Sequence, residues 1–429
     1  MSGLRRRLLP FLETVSQSSS TRDMWILTLG NSIGQIALLA TMPFASRLYS
    51  PTDYGMLALY SSILLTGVSL SGLAYHQAIP IPSREGDGTA LFILSIIIEV
   101  VLVALFSFLF VVSRPFFKGI QPTGGISFWF FPIGILWAGM YKIITSWCTR
   151  EKRFSELALS KVIQGIMSSF VTLGMGLAFL RPLGLIAGYM ISQGMGVIYL
   201  LIKTFSWRQL KAASPERLRY VAATYRRFPL YNTWSDLMNT LSSQLTPLIL
   251  TSVYDAQVTG YFALSFQVIN LPMFFIGMAV RQVFFQQASR AVHNGTLAEL
   301  TRSTFRRLFC IGFVPFFLLT LLGPQIFSFL FGERWYMAGV YTQWIAPWFF
   351  IVFCTAPLYS ILYILERQRQ NTIFQAVILV SRIGALYLGV FCGGAVWSIA
   401  IFGVVGLVLW LFLLCWIIHL SGNTVKSMF

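Results

Sequence analysis

Residues 89–112 have the sequence TALFILSIIIEVVLVALFSFLFVV, in which Glu99 is the single charged residue. A membrane-spanning helix needs about 20 mainly apolar residues, so this stretch is long enough to cross a bilayer. Eleven further apolar segments follow the same pattern, separated by polar or Gly/Pro-containing connections. The twelve candidate spans are residues 24–48, 54–79, 89–112, 126–148, 157–180, 183–204, 229–253, 258–283, 305–330, 338–364, 371–392 and 395–419. These segments predict an all-α polytopic membrane protein.

Composition supports this class. The chain has 429 residues, of which 56% are apolar and 10% are charged, whereas soluble domains carry about 25% charged residues. This balance excludes a cytosolic enzyme, a secreted disulfide scaffold and a disordered protein. The five cysteines form no CxxC pair and the three histidines no HExxH motif, so the sequence predicts no metal site. The segment before Met24 has no apolar core of signal-peptide length, so we expect the first span to be retained.

The basic residues predict the orientation of the spans. Of the 31 Lys and Arg residues, 22 fall on the side that holds both termini, five on the opposite side and four inside spans. The positive-inside rule places the 22 in the cytoplasm, together with both termini. We therefore expect a cytoplasmic segment 1–23, a lobe 24–204 of six spans, a basic cytoplasmic loop 205–228, a lobe 229–419 of six spans and a cytoplasmic tail 420–429. The default role of the basic loop is contact with anionic lipid head groups, and nucleic acid is not an expected partner.

An internal repeat agrees with this division. Residues 48–59 are LYSPTDYGMLAL and residues 253–264 are VYDAQVTGYFAL, so a shift of 205 residues matches Tyr, Gly, Ala and Leu without a gap. The same shift pairs His76 with Arg281 and Asn31 with Asp236. Two sets of six spans in the same orientation predict a parallel repeat, which is typical of transporters whose site lies near the membrane midplane.

Four stretches carry a resemblance to a known family. Residues 46–55, SRLYSPTDYG, resemble the turn after the first span of bacterial polysaccharide-unit flippases. Residues 225–231, YRRFPLY, resemble the entry to their seventh span, and residues 260–265, GYFALS, resemble their eighth. The loop 150–153, REKR, also fits. The chain is similar to the Wzx-type O-antigen and polysaccharide-unit flippases, within the superfamily that includes MATE-type drug exporters and the lipid II flippase.

This resemblance implies a fold and a function. The fold is two six-helix lobes in a V. The function is the movement of undecaprenyl-diphosphate-linked oligosaccharides across the bacterial cytoplasmic, or inner, membrane by alternating access, for the assembly of O-antigen in lipopolysaccharide or of another surface polysaccharide. The implied partners are the lipid-linked oligosaccharide diphosphate, membrane lipids, a polysaccharide polymerase and a chain-length regulator.

Such a substrate requires cations inside the membrane, because an unpaired diphosphate is costly to move through hydrocarbon. Cations and polar groups within or beside the spans are therefore the candidate substrate-binding residues: Arg382, Arg281, Lys142, Arg47, His76, Asn31 and Gln35. Structural alternatives stay open: an interhelical ion pair for Arg382, snorkelling for Arg281, an interfacial anchor for Arg47, and helix packing for Asn31 and Gln35. For Lys161, nearer the surface, snorkelling is the favoured interpretation.

Two carboxylates lie inside spans. Asp236 is about seven residues into span seven, and Glu99 lies near the middle of span three. Either can exchange a proton or bind Na+ and so couple transport to an ion gradient, and either can instead neutralise an arginine. We expect no catalytic residue and no cofactor beyond such an ion.

Two other functions compete with the flippase. A MATE-like cation or drug antiporter is expected to use an acidic cavity, whereas the charges within these spans are four basic and two acidic. A membrane-embedded polysaccharide polymerase or ligase is expected to carry a large periplasmic catalytic loop, and the opposite-side loops here are short. The sequence therefore favours a transporter of an anionic lipid over an exporter or an enzyme.

Overall fold

The structure, a computed structural model, describes residues 19–113, 129–204, 214–273, 277–365 and 367–422, and within these ranges it contains helices and no strand. The helices are α1 Ser19–Leu48, α2 Pro51–Ser69, α3 Glu85–Ser113, α4 Phe130–Arg150, α5 Phe154–Leu177, α6 Leu183–Thr204, α7 Pro215–Thr224, α8 Thr233–Val253, α9 Ala256–Ile269, α10 Met278–Asn294, α11 Leu297–Phe331, α12 Tyr336–Thr355, α13 Ser360–Ile364, α14 Gln368–Cys392 and α15 Ala395–Leu420. Three shorter turns complete the order: 3-10 segments Ser71–Ala78 and Glu333–Trp335, and a π-helical turn Phe228–Asn232.

Each of the twelve predicted spans coincides with helical structure, which confirms the all-α polytopic class. In the described part of the chain, eight helices are long and apolar enough to cross a membrane, or nine if α2 and the segment Ser71–Ala78 are one broken span. The other three predicted spans are also helical, on α4, α8 and the pair α9 and α10. Helices α4 and α8 carry Lys142 and Asp236, respectively.

The basic loop contains a helix of its own. Helix α7 begins after Ser214, whose side chain accepts a hydrogen bond from the Arg217 amide, and has Pro215 in its first turn. Both are favourable at a helix start. Residues 205–213 of the predicted loop lie outside the described residues. Arg217 Nε also donates to Asp87 Oδ1 at 2.9 Å, so α7 is attached to the first turn of α3.

The chain forms two compact units, and the first comprises residues up to Tyr49 together with Tyr60–Gln244. Within it, α1 packs on α5 through small residues. A Cβ atom added to Gly34 would lie 2.4 Å from the Lys161 carbonyl oxygen, and one added to Gly165 would lie 2.3 Å from the Gly34 carbonyl oxygen. Backbones in such close contact are typical of membrane helix packing. The polar positions of α1 therefore lie on a tightly packed helix.

The second unit comprises Ser50–Leu59 and Leu245–Phe429. In it, the start of α2 crosses α9 through a reciprocal contact. A Cβ atom added to Gly55 would lie 1.6 Å from the Ala256 carbonyl oxygen, and one added to Gly260 would lie 1.7 Å from the Pro51 carbonyl oxygen. Both pairs are related by the 205-residue shift. This reciprocity is what a two-fold repeat produces at its axis, so the structure agrees with the repeat found in the sequence.

The lobe bounds inferred from the sequence stay a prediction. The two compact units divide the chain within α2 and within α8, whereas the sequence division falls in the basic loop.

Candidate functional site

The site begins at a break in the second predicted span. Helix α2 ends at Ser69 and the 3-10 segment Ser71–Ala78 continues at an angle of 55°. Three consecutive residues of this segment are left-handed: Gly72 at φ 53°, Leu73 at φ 43° and Ala74 at φ 57°. Leu and Ala adopt this conformation at a cost of about 1–2 kcal/mol each, so surrounding contacts must hold the break in place.

Glu99 provides one of these contacts. The backbone N–H of Gly72 donates to Glu99 Oε2 at 3.0 Å, and the Glu99 side chain is buried on α3. Glu99 thereby ties α3 to the break, which in turn sets the positions of His76 and Gln77.

These two residues line a cavity of about 660 Å³ inside the first unit. The cavity lies among α2, the segment Ser71–Ala78, α4, α5, α6 and the first half of α8. Its polar lining consists of hydroxyl, amide, imidazole and ammonium groups: Ser69, His76, Gln77, Tyr141, Lys142, Thr145, Ser146, Lys161, Tyr189, Gln193, Thr240, Ser243 and Gln244. The described lining includes no Asp or Glu, so the fixed charge on the wall is positive.

A chain of polar contacts beside the cavity joins four helical elements: the segment Ser71–Ala78, the turn Phe228–Asn232, α8 and α4. Asn232 Nδ2 donates to Gln77 Oε1 at 2.9 Å, and Gln77 Nε2 donates to Asp236 Oδ2 at 2.7 Å. Lys142 Nζ lies 3.6 Å from the same Asp236 oxygen. Asp236 therefore neutralises a lysine and fixes an amide. It is a first-turn residue of α8, where a carboxylate also stabilises the helix dipole.

The opposite lysine, Lys161, is held differently. Its Nζ lies 4.5 Å from the centre of the Tyr141 ring and donates to Gln164 Oε1 at 3.3 Å. Gln164 Nε2 in turn donates to Gln193 Oε1 at 3.2 Å. The sequence favoured a snorkelling role for Lys161, but the structure places it on the cavity wall. Gln164 lies three residues further along α5, whereas the Tyr141 ring comes from α4, so position along a single helix reveals only one of the two partners.

A buried polar cluster lies behind the break. Glu99 Oε1, Ser71 Oγ and His76 Nδ1 are buried and have no hydrogen-bond partner among the described residues. A Cβ atom added to Gly139 would lie 1.9 Å from Glu99 Oε1 and 2.7 Å from Ser71 Oγ, so both oxygens face the backbone of α4. Buried polar atoms without partners are rare in folded proteins and call for an explanation.

The structure therefore brings Lys142, His76 and Asp236 together, with Glu99 directly behind them. Other predicted site residues of the first unit lie elsewhere. Asn31 and Gln35 are half-buried on α1 and are not part of the described cavity lining. Arg47 is exposed in the last turn of α1.

Arg281 and Arg382 belong to the second unit. Arg281 is exposed on α10. The Arg382 guanidinium lies 5.1 Å from the centre of the Trp348 ring and 6.0 Å from that of Phe402, and its Nε has no hydrogen-bond partner. In the described part of the chain it makes no ion pair, so the interhelical salt bridge considered from the sequence is not observed there.

The chemistry of the cavity suits an anion with hydrogen-bonding substituents. Two ammonium groups, several hydroxyls and three amides supply donors, and one carboxylate tunes the nearer lysine. No cluster of three or more His, Cys, Asp or Glu residues that could hold a metal occurs in the described ranges.

Comparison with known proteins assigns the chain to a family. The family model described as "Polysaccharide biosynthesis protein" matches residues 44–339, more than half of the chain. The chain belongs to this family. No curated protein matches it at the threshold applied.

Solved structures show the fold. An inward-closed lipid II flippase MurJ is 14% identical with a TM-score of 0.68, over 95% of this chain and 88% of the other. An inward-facing MATE family multidrug resistance transporter of the MOP superfamily is 14% identical with a TM-score of 0.59, over 92% of this chain and 94% of the other. A mutant of the Vibrio cholerae MATE transporter VcmN is 13% identical with a TM-score of 0.56, over 93% of this chain and 94% of the other. These three similar proteins are two transporters and a flippase, and their likeness to this chain shows its fold.

Proposed function

We propose that this polysaccharide biosynthesis protein is a flippase for undecaprenyl-diphosphate-linked oligosaccharides, and that the cavity of the first unit receives the diphosphate and the first sugars. The observation that carries the proposal is the placement of Lys142 and Lys161 on the wall of a cavity without a described acidic lining residue. The two lysines neutralise an anion, while Gln77, Gln193 and the hydroxyl groups supply hydrogen bonds to sugars.

The charge of the cavity favours this cargo over a drug cation. Asp236 contacts Lys142 and Gln77, so its charge is already compensated. An organic cation entering the cavity would face two ammonium groups, whereas a diphosphate would replace the partly exposed contact of Lys142 with Asp236. The MATE-like antiporter is therefore the weaker alternative, although it shares the fold.

The cellular setting is part of the same proposal. The protein lies in the bacterial inner membrane with both termini in the cytoplasm, because 22 of 31 basic residues fall on that side in the twelve-span arrangement. Alternating access exposes the cavity first to the cytoplasm, where the lipid-linked unit is loaded. The unit is then released for O-antigen or another surface polysaccharide, where a polymerase and a chain-length regulator act on it.

A binding experiment tests the proposal. Purified protein in detergent is titrated with undecaprenyl diphosphate, and wild type is compared with Lys142→Gln and Lys161→Gln. A hydrogen bond to a charged group contributes about 1.5–3 kcal/mol, so each variant should bind about tenfold or more weakly. Export of surface polysaccharide in cells should fall in parallel.

Lys203→Gln is the matched control, because Lys203 is an exposed lysine in the last turn of α6. It removes the same charge and should bind as wild type does. Wild-type affinity in both cavity variants would contradict the proposal, and selective binding of an organic cation such as tetraphenylphosphonium would favour the exporter.

A further inference from the structure

The buried polar cluster of Glu99, Ser71 and His76 contains a carboxyl group. This group has few of the hydrogen-bond donors and none of the ion-pair partners that usually stabilise a buried carboxylate. Glu99 is fully buried at 0% exposure, and it receives one backbone donor on Oε2 and none on Oε1. It makes no ion pair with a described basic residue. An isolated buried carboxylate is far more costly than a neutral carboxyl group. In the conformation described here, the burial of Glu99 without an ion pair therefore favours its protonated form.

A protonated Glu99 also accounts for its neighbours. The carboxyl O–H can donate from Oε1, and Ser71 Oγ, which lies beside the same Gly139 backbone, is an acceptor without a partner. His76 Nδ1 lies near Gly72, whose amide donates to Glu99, because a Cβ atom added to Gly72 would be 3.7 Å from it. His76 lines the cavity as well. The imidazole thus borders both the residue that donates to Glu99 and the cavity.

The charged groups around Glu99 are few. Helix α3 packs against the segment Ser71–Ala78, α4 and α7. The first contributes His76 and the second contributes Lys142. The basic residues at the cytoplasmic end are already engaged: Arg217 of α7 bonds Asp87, and Arg150 of α4 bonds the carbonyl oxygens of Ile79 and Pro82.

Lys142 therefore lies between two carboxyl groups. Its Nζ is 3.6 Å from Asp236, a residue beside the cavity but not part of its described lining. It also follows Gly139, the residue beside Glu99 Oε1, by three positions on α4, so the two lie on one face of the helix. When Glu99 is neutral, it does not attract the Lys142 ammonium group, which then stays in the cavity. When Glu99 loses its proton, the new charge attracts Lys142 away from the cavity.

We propose that Glu99 is a proton-binding site whose occupancy controls the availability of Lys142 to the anionic substrate. The proton passes between Glu99 and cavity water by way of His76, and no other bond is formed or broken. This inference rests on the proposed function, because it assigns the controlled lysine to the diphosphate. Proton and anion binding then favour each other, and reciprocity requires that the anion also promote protonation of Glu99.

The proton itself can be observed without any substrate. Infrared spectra of the purified protein should contain the carbonyl band of a protonated carboxyl group. This band should disappear in Glu99→Gln and persist in Glu151→Gln, the matched control, because Glu151 is an exposed residue at the end of α4. An unchanged band in folded Glu99→Gln would overturn the proposal, whatever the cargo of the transporter is.

The linkage is tested with undecaprenyl diphosphate as the probe. Between pH 5 and pH 9, wild-type affinity should fall about tenfold more than that of Glu99→Gln, within the usual range of coupling between sites. The titration of the diphosphate is common to both proteins and cancels in this comparison. Lys142→Met, which retains Glu99, should also lose the additional pH dependence. Equal pH profiles in wild type and in both variants would overturn the linkage, while failure of all three proteins to bind would instead contradict the proposed function.

Discussion

At the scale of single residues, the lysines of the cavity differ in how firmly they are held. Lys142 and Asp236 form an ion pair of 3.6 Å, with 36% and 34% of their side chains exposed. Pairs of this exposure contribute about 0–1 kcal/mol, so the contact is easily exchanged for a ligand. Lys161 has a tyrosine face and an amide as partners. A cavity that binds and releases an anion requires cations whose contacts with the protein are weak enough to be exchanged for contacts with the anion.

Arg382 offers a test at the same scale. Replacing it with Met keeps the side-chain length and removes a half-buried guanidinium that makes no described ion pair, so we expect the melting temperature to rise by about 2 °C or more. If Arg382 also contacts substrate, as the sequence predicts, surface polysaccharide should be lost from a well-folded protein. Thermal unfolding in detergent and polysaccharide export measure the two effects.

The control for this substitution is Arg367→Met, because Arg367 is an exposed arginine at the start of α14. Neither its stability nor its export should change. Normal export by Arg382→Met would assign Arg382 a purely structural role on Trp348 and Phe402.

At the scale of elements, the site depends on the break between α2 and the segment Ser71–Ala78. Three left-handed residues are held by the Glu99 carboxyl group from α3, and α4 closes the cluster with the small residue Gly139. The angle of the break determines where His76 and Gln77 meet the cavity. Contacts that lie outside the cavity therefore control its shape.

Gly139→Ala should disturb this arrangement. The added methyl group would lie 1.9 Å from Glu99 Oε1, which forces Glu99 or α4 to move at a cost of about 1–3 kcal/mol. We expect a lower melting temperature and weaker binding of undecaprenyl diphosphate. The control is Gly174→Ala on α5, where no atom lies within 4 Å of the new methyl group and helix propensity improves. Equal behaviour of the two variants would show that Glu99 is loosely packed.

At the scale of the whole molecule, the two halves of the sequence meet through the crossing of Gly55 and Gly260. Each glycine touches a backbone carbonyl of the other helix, at Ala256 and Pro51. The N-terminal caps also correspond under the same shift: Ser50 Oγ accepts the Asp53 amide at 3.2 Å, and Asp255 Oδ1 accepts the Val258 amide at 2.7 Å. Duplicated sequence thus yields duplicated local structure.

The crossing predicts non-additive mutations. Gly55→Ala and Gly260→Ala should each destabilise the protein, because the methyl group would lie under 2 Å from a carbonyl oxygen. The double variant should lose less stability than the sum of the two, since separating the helices once relieves both clashes. Gly384→Ala, with no atom within 4 Å, serves as the control. Strict additivity in thermal unfolding would contradict a shared contact.

The orientation is a further prediction at this scale. A green fluorescent protein fused after Phe429 should fluoresce, and an alkaline phosphatase fused there should be inactive, because the C-terminus is expected in the cytoplasm. The opposite pattern would contradict the proposed topology.

Much of the fold could be predicted from the sequence, because long apolar segments and the 205-residue repeat are local or periodic signals. The sequence also identified Lys142, His76, Asp236 and Glu99 as ionisable or polar residues of the spans. It could not show the break, since that span contains no proline at this position; the dipeptide Ser71-Gly72 was the only local signal. The environment of Lys161 was partly hidden, because packing of α4 on α5 brings the Tyr141 ring to it, whereas Gln164 lies on the same helix.

The hydrogen bond between Gly72 and Glu99 has a consequence for biosynthesis. The amide precedes its acceptor by 27 positions, so the ribosome delivers the second hydrophobic segment before the residue that stabilises its bend. That segment must enter the bilayer without the hydrogen bond that stabilises its bend, and it reaches its final conformation only when the third segment packs beside it. Membrane insertion and the shaping of the binding chamber are therefore successive events in the maturation of this protein.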